Sequence, residues 1–178
     1  MDDVLLLRFA WPAGHGEADG VAPLHRHLPD RPMWRAVDGD GGCVYAPASH
    51  MQDELLRLAP PLARCTRLRG SIDLAGAEAG SDAPFHYIVA TDVLPEHEPE
   101  FNAWYEEEHL PGLAAVPGTV RAMRYRAEGS PRYHACYDLV SSDTLGSAAW
   151  LAVRATPWSS RVRPWFRNTT RTMYRRWK

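Results

Sequence analysis

The sequence has almost no lysine: nineteen of its twenty basic residues are arginine, and Lys178 is the exception. That bias carries no function by itself. It also lacks an excess of charge, because 20 basic residues face 22 acidic ones for a net charge of -2. No global field therefore draws the chain to nucleic acid or to an anionic membrane, and neither is an expected partner. Cysteine is scarce. Cys43, Cys65 and Cys136 are odd in number and form no CxxC pair, which excludes a complete disulfide framework and reads as reduced thiols in a cytoplasmic protein. No apolar run approaches the length that spans a bilayer, and Met1-Asp2-Asp3-Val4 passes from acids straight into a strand-like segment, so neither export nor a membrane anchor is expected. HExxH, cysteine-rich ligand sets, GxGxxG and GxxxxGK[ST] are all missing. His15, His25, His27 and His50 offer only one close spacing, His25-x-His27, and the expectation is no metal and no nucleotide cofactor.

The remaining 178 residues suffice for one large domain or for two small ones that close on each other. Asp3 to Trp11 is an apolar run stopped by Pro12 and suits a buried strand. A helix over Ala18 to Leu28 follows. Met33 to Val37 and Cys43 to Ala46 flank Asp38-Gly39-Asp40-Gly41-Gly42, a hairpin-turn sequence. His50 to Ala59 carries Met51, Leu55 and Leu58 on one helical stripe and ends at Pro60-Pro61. Cys65 to Leu74 is a strand, which completes a βαββαβ order over residues 1–75.

Small residues without periodicity over 76–84 predict a linker. Residues 85–178 then repeat the order. Phe85 to Val93 is a strand and Glu98 to Leu110 a helix. Thr119 to Arg126 and Tyr133 to Asp138 form a hairpin around Glu128-Gly129-Ser130-Pro131. A helix covers Leu145 to Ala155, and Thr170 to Trp177 is the last strand. His27-Leu28-Pro29 and His109-Leu110-Pro111 each close the first helix of a half, which points to a tandem duplication. A four-stranded sheet of this kind covers one face with its helices and leaves the other needing a partner. The predicted fold is therefore α+β, two ferredoxin-like halves whose sheets face each other as a pseudo-dimer within one chain, either monomeric or as a homodimer.

The segment Pro95 to Arg126 carries the aromatic-acidic helix Phe101, Trp104, Tyr105, Glu107 and Glu108, then His109-Leu110-Pro111, Val116-Pro117-Gly118 and a strand with Arg124-Tyr125. This pattern resembles the dimeric α/β-barrel superfamily, in particular its EthD-like branch. The first half matches in outline but lacks the aromatic residues, so it reads as degenerate. The superfamily includes cofactor-free lactone isomerases, aromatic polyketide cyclases and anthrone-type monooxygenases, together with haem-binding branches. The resemblance alone does not choose among reactions.

On a helix, Phe101, Trp104, Tyr105, Glu108 and His109 share one side, which brings three aromatics, a carboxylate and an imidazole together. Acid or base chemistry near neutral pH becomes available there. His109 is the candidate acid or base, with Glu108 as a further catalytic candidate. Tyr105 or Arg124 would stabilise negative charge on oxygen, and Phe101 with Trp104 would form the apolar wall. Strand alternation puts His86 on one face of its strand with Ile88, Ala90 and Asp92, and aligns His134 with Cys136 and Asp138. His86 and His134 are accordingly candidate substrate-binding residues. Blander readings stand beside each: an aromatic stripe builds a core, a histidine before Leu-Pro bonds a helix end, and Arg124 makes a sheet-edge ion pair. Arg161 to Lys178 holds seven basic residues among aromatics, which a last strand alternating between core and solvent explains without nucleic acid.

The expected function is a cofactor-independent enzyme acting on a hydrophobic, carbonyl-bearing or aromatic small molecule, a cyclase, dehydratase or isomerase of the kind that serves natural-product biosynthesis. One alternative is a haem-binding protein or oxidoreductase with His109, His86 or His134 as axial ligand. The other is a non-catalytic small-molecule-binding protein.

Overall fold

A computed structural model describes residues 2–13 and 17–177; Met1, His15 and Lys178, named above, lie outside the described residues. The first half consists of β1 (Val4–Ala10), α1 (Glu17–His27), β2 (Met33–Ala36), β3 (Gly41–Pro47), α2 (Gln52–Leu58) and β4 (Arg64–Ala75). The second contains β5 (Phe85–Val93), α3 (Glu98–Trp104), a π-helical turn (Tyr105–His109), α4 (Leu110–Ala114), β6 (Thr119–Ala127) and β7 (Tyr133–Leu139). After these come α5 (Ala148–Arg154), α6 (Pro157–Val162) and β8 (Phe166–Arg176).

The eight strands close into a ring in the order β1-β3-β2-β8-β5-β7-β6-β4, every pair antiparallel. Each half keeps the order β4-β1-β3-β2 or its counterpart β8-β5-β7-β6, which is the ferredoxin-like arrangement. Two seams join them: β2 with β8, and β4 with β6. The segment between β4 and β5 is not a loose tether, since the amides of Gly76, Ala77 and Glu78 donate to carbonyls of Val120, Ala114 and Thr119 in the second half.

Period-two alternation divides the apolar residues into three layers. Leu5, Leu7 and Phe9 of β1 pack outward against Val21, Leu24 and Leu55 of the first-half helices. Tyr133, Ala135 and Tyr137 of β7 pack outward against Phe101, Trp104 and Trp150. Leu6, Leu68, Ile88, Met123, Tyr125 and Cys136 face inward, between the sheets. The helices thus lie outside the barrel on both halves. Gly39 and Gly118 take φ of 93° and 95°, left-handed backbone that glycine adopts without a Cβ penalty, at the β2–β3 hairpin and at the turn into β6.

Three predicted boundaries differ. The helix from Glu98 does not end at His109-Leu110-Pro111. Instead the Leu110 amide reaches back five residues to the Tyr105 carbonyl, and the helix continues to Ala114. In a regular helix Pro111 would lack a donor and press on the Glu107 carbonyl; widening the preceding turn relieves that clash. The helix expected over Leu145 to Ala155 begins only at Ala148, where the Ser147 side chain accepts from the Trp150 amide. A further helix, α6, is capped by Thr156 and started by Pro157, and β8 begins at Phe166, earlier than expected.

Candidate functional site

The wide turn at Tyr105–His109 rotates the helix face that the sequence implied. Phe101, Trp104, Tyr105 and His109 are buried against the outer face of the second sheet. Glu108 turns away. Its Oε1 accepts from Trp104 Nε1 at 3.1 Å and from Thr156 Oγ1 at 2.6 Å, so it joins the helix to the start of α6 and does not face the cavity beside His109. The placement of Glu108 beside His109 as a second acid or base is thereby corrected.

His109 stacks on Trp104 with ring centroids 4.0 Å apart and meets the edge of Tyr105 at 5.3 Å. Its Nδ1 is buried without a hydrogen bond. Beside it lies a cavity of about 40 Å³ walled by Tyr87, Tyr105, Tyr137, Trp104 and Trp150, with Arg154, Arg163 and Arg171 around it. Among the described residues no carboxylate lines this space or pairs with those three guanidinium groups. Burial lowers the His109 pKa to about 3, helped by the positive charges of Arg154 and Arg163, so the ring is neutral at physiological pH. Burial pushes the Tyr105 hydroxyl up to about 12 against the pull of Arg124, and it stays protonated.

Arg124 takes neither expected place. It is 3% exposed on the outer face of β6, where its guanidinium carbon lies 4.5 to 5.1 Å from the ring centres of Tyr105, Tyr133 and Phe101. Nη2 donates to Asn102 Oδ1 at 2.6 Å, and Glu106 approaches at 3.9 Å. The residue fastens α3 to the sheet, outside the lining of the His109 cavity. Phe101 is wholly buried beneath it and serves as core.

His86 and His134 lie on the opposite side of the sheet, inside the barrel, so the sheet separates them from His109. His86 Nδ1 is 2.7 Å from Asp138 Oδ1, its direct cross-strand partner on β7, and Nε2 is 3.0 Å from the Tyr45 hydroxyl. Burial opposes charge on this ring, yet the bonds to Asp138 and Cys136 outweigh it and raise the pKa to about 9. His134 is different. Its Nε2 sits 3.0 Å from the Pro131 carbonyl, and burial, reinforced by Arg8, lowers its pKa to about 4. Asp92 leaves the His86 face because the β5–β8 register shifts between Ala90 and Asp92. It accepts from Ser130 and Asn168 at the surface.

Sequence reasoning missed Arg154, Arg163 and Arg171, which come from α5, from the turn after α6 and from β8. The available signal was an arginine following the apolar stripe of α5. It also missed Tyr45, whose strand was seen but whose partner across the barrel was not. No group of acidic, histidine or cysteine residues suited to a metal occurs among the described residues, and no helix is long and apolar enough to cross a membrane.

No protein-family model matches the sequence, and no curated protein matches it. Solved structures do match its fold. A protein from Lactobacillus acidophilus NCFM, provisionally assigned as a monooxygenase, superposes with a TM-score of 0.67 at 10% identity over 99% of this chain and 94% of its own. A heme-degrading enzyme from Listeria monocytogenes gives 0.64 at 9% identity, over 98% and 99%. An anthrone oxidase-like protein gives 0.61 at 13%, over 99% and 91%. The chain therefore has the α+β ferredoxin-like fold of dimeric α/β-barrel type. At such identities the likeness extends to the fold alone.

Proposed function

We propose that the second half is a cofactor-independent enzyme for a small, acidic aromatic or enolisable carbonyl compound, which it binds as the anion beside His109. The observation that carries this reading is the set of three guanidinium groups without a carboxylate partner around a neutral, buried imidazole, with no carboxylate in the lining among the described residues. As it stands the cavity admits little more than water. Arg154 and Arg163 are half-buried and Arg171 exposed, so their side chains can swing outward and admit a molecule of about one ring.

The chemistry follows from charge. An anion held by the arginines cancels much of the repulsion that, after burial, weakens His109 as a base. Base strength then rises only when substrate is present. The imidazole accepts a proton from the carbon beside the carbonyl and returns it to another atom of the same substrate. Meanwhile the Tyr105 hydroxyl and the arginines stabilise the enolate oxygen. Such a transfer starts a cyclisation, a dehydration or an isomerisation of an enolisable substrate, and a natural-product pathway is the setting we propose for it. The shared strand order of the two halves supports a tandem origin, and the EthD-like helix pattern, present in the second half alone, supports a first half that lost its site.

Haem, suggested by the heme-degrading relative, does not fit these residues. A cavity of about 40 Å³ falls far below the several hundred that a large ligand occupies. Both nitrogens of His86 are already engaged, and His134 is turned to Pro131.

Hydrogen–deuterium exchange at the methylene carbon of phenylpyruvate, followed by NMR, tests the assignment. Wild-type protein is expected to accelerate exchange saturably, and His109→Ala to reduce it about a hundredfold, the lower end for general-base loss. Arg163→Gln should raise the half-saturating concentration about tenfold. Equal exchange with wild type and His109→Ala would reject the role of His109.

A further inference from the structure

On the inner side of the same sheet, the barrel is not filled. The end nearest Pro47 and Asp138 holds a chamber of about 380 Å³, within the range of small-molecule sites and far larger than the space at His109. Its walls are Trp34, Tyr45, Met123 and Tyr125, and His86 lies at its side.

The polar groups of this chamber form an ordered series. Asp138 holds Nδ1 of His86, and Nε2 of His86 meets the Tyr45 hydroxyl. Trp34 stacks on the imidazole with centroids 5.0 Å apart and fixes its plane. With the ring charged, Nε2–H donates to the Tyr45 oxygen, and the tyrosine proton must then point elsewhere. Cys136 Sγ, at 3.4 Å, is a weak acceptor for it. A hydroxyl that already accepts from an imidazolium is a strengthened donor toward any better acceptor.

Most of the charged groups around the mouth are already engaged. Arg121 donates to both oxygens of Asp73 at 2.7 and 2.6 Å, Asp138 is taken by His86, and Asp3 accepts from the Gly70 amide. Arg31 and Asp2, exposed at the rim, are of opposite sign, so the mouth carries no excess of positive charge for an anion, in contrast to the outer cavity.

We propose that this chamber is a second small-molecule site, selective for a flat, neutral, largely apolar compound with one carbonyl, which seats between Trp34 and Tyr125 and accepts a hydrogen bond from Tyr45. Tyr45 is the contact residue; His86 and Asp138 are positioning residues that direct its proton.

The test uses the full chain and a neutral naphthyl ketone, 6-propionyl-2-(dimethylamino)naphthalene, whose emission reports both polarity and hydrogen bonding at its carbonyl. Saturable one-to-one binding is expected. Tyr45→Phe keeps the walls but removes the donor, and should weaken binding about tenfold and shift emission to that of a carbonyl without a donor. Met123→Trp fills the chamber and should abolish binding, while excess benzoate, an anion suited to the outer cavity, should not displace the ketone. Absence of saturable binding, displacement by benzoate, or unchanged affinity in both variants would overturn the proposal. Should either variant fail to fold, imidazole ¹H–¹⁵N spectra of the wild type decide: the ketone must move the His86 resonances, and unmoved resonances overturn the site.

Discussion

The two faces of one sheet each hold a buried imidazole, and burial resolves oppositely on them. His86 is 3% exposed inside the barrel and His109 8% exposed outside it. Loss of water disfavours the charged form of both. On the inner face Asp138 lies in hydrogen-bond contact and keeps its ring charged, whereas on the outer face Arg154 and Arg163 add to the loss and keep the ring neutral. Burial alone therefore does not set the state of a histidine; the sign of its neighbours does.

The largest expected effect comes from removing the counter-charge on the inner face. Asp138→Asn should cost about 2 to 3 kcal/mol in urea unfolding at pH 7, at or below the usual range for a broken buried pair because a fifth of the Asp138 side chain still reaches solvent. The His86 pKa is raised in the folded chain, so its contribution is complete below the unfolded value near 6.5 and disappears as pH rises through about 9. The penalty of Asp138→Asn should shrink over that interval, and a penalty independent of pH would break the contrast.

The outer face should show the opposite slope. His109 has a lowered folded pKa, so its contribution is complete above about 6.5 and is lost as pH falls toward about 3. Between pH 6.5 and 5 the wild type should lose about 1 to 2 kcal/mol that His109→Leu does not lose, as read from paired urea titrations. A smaller effect sharpens the cause: Arg163→Gln should raise the His109 midpoint in NMR titration by roughly half a pH unit, because one of two repelling charges is gone. Smallest of all, Cys136→Ala should lower the His86 midpoint by less than about half a pH unit, since the Asp138 bond remains.

Much of this contrast could be read in part from the residues. The alternation of Phe85 to Val93 placed His86 and Tyr87 on opposite faces, as the barrel has them. Register, however, is a property of two strands, and nothing local to β5 states that His86 pairs with Asp138. The helix over Glu98 to Leu110 was visible from its aromatic spacing. Its wide turn was not, because Pro111 reads as a stop unless the preceding turn expands. That turn removed Glu108 from the site and kept His109 in it. The three arginines come from separate elements, and only the folded chain brings them together. Thr156-Pro157, by contrast, is a legible helix start that went unread.

Closure of the eight strands has a consequence for association. Each half alone would present two bare strand edges, rows of amide and carbonyl groups able to recruit another chain. Here β2 spends its edge on β8, and β4 spends its edge on β6. Copies of this protein must meet through side chains, and the backbone ladder by which open sheets grow into fibrils has no place to begin while the ring stays shut.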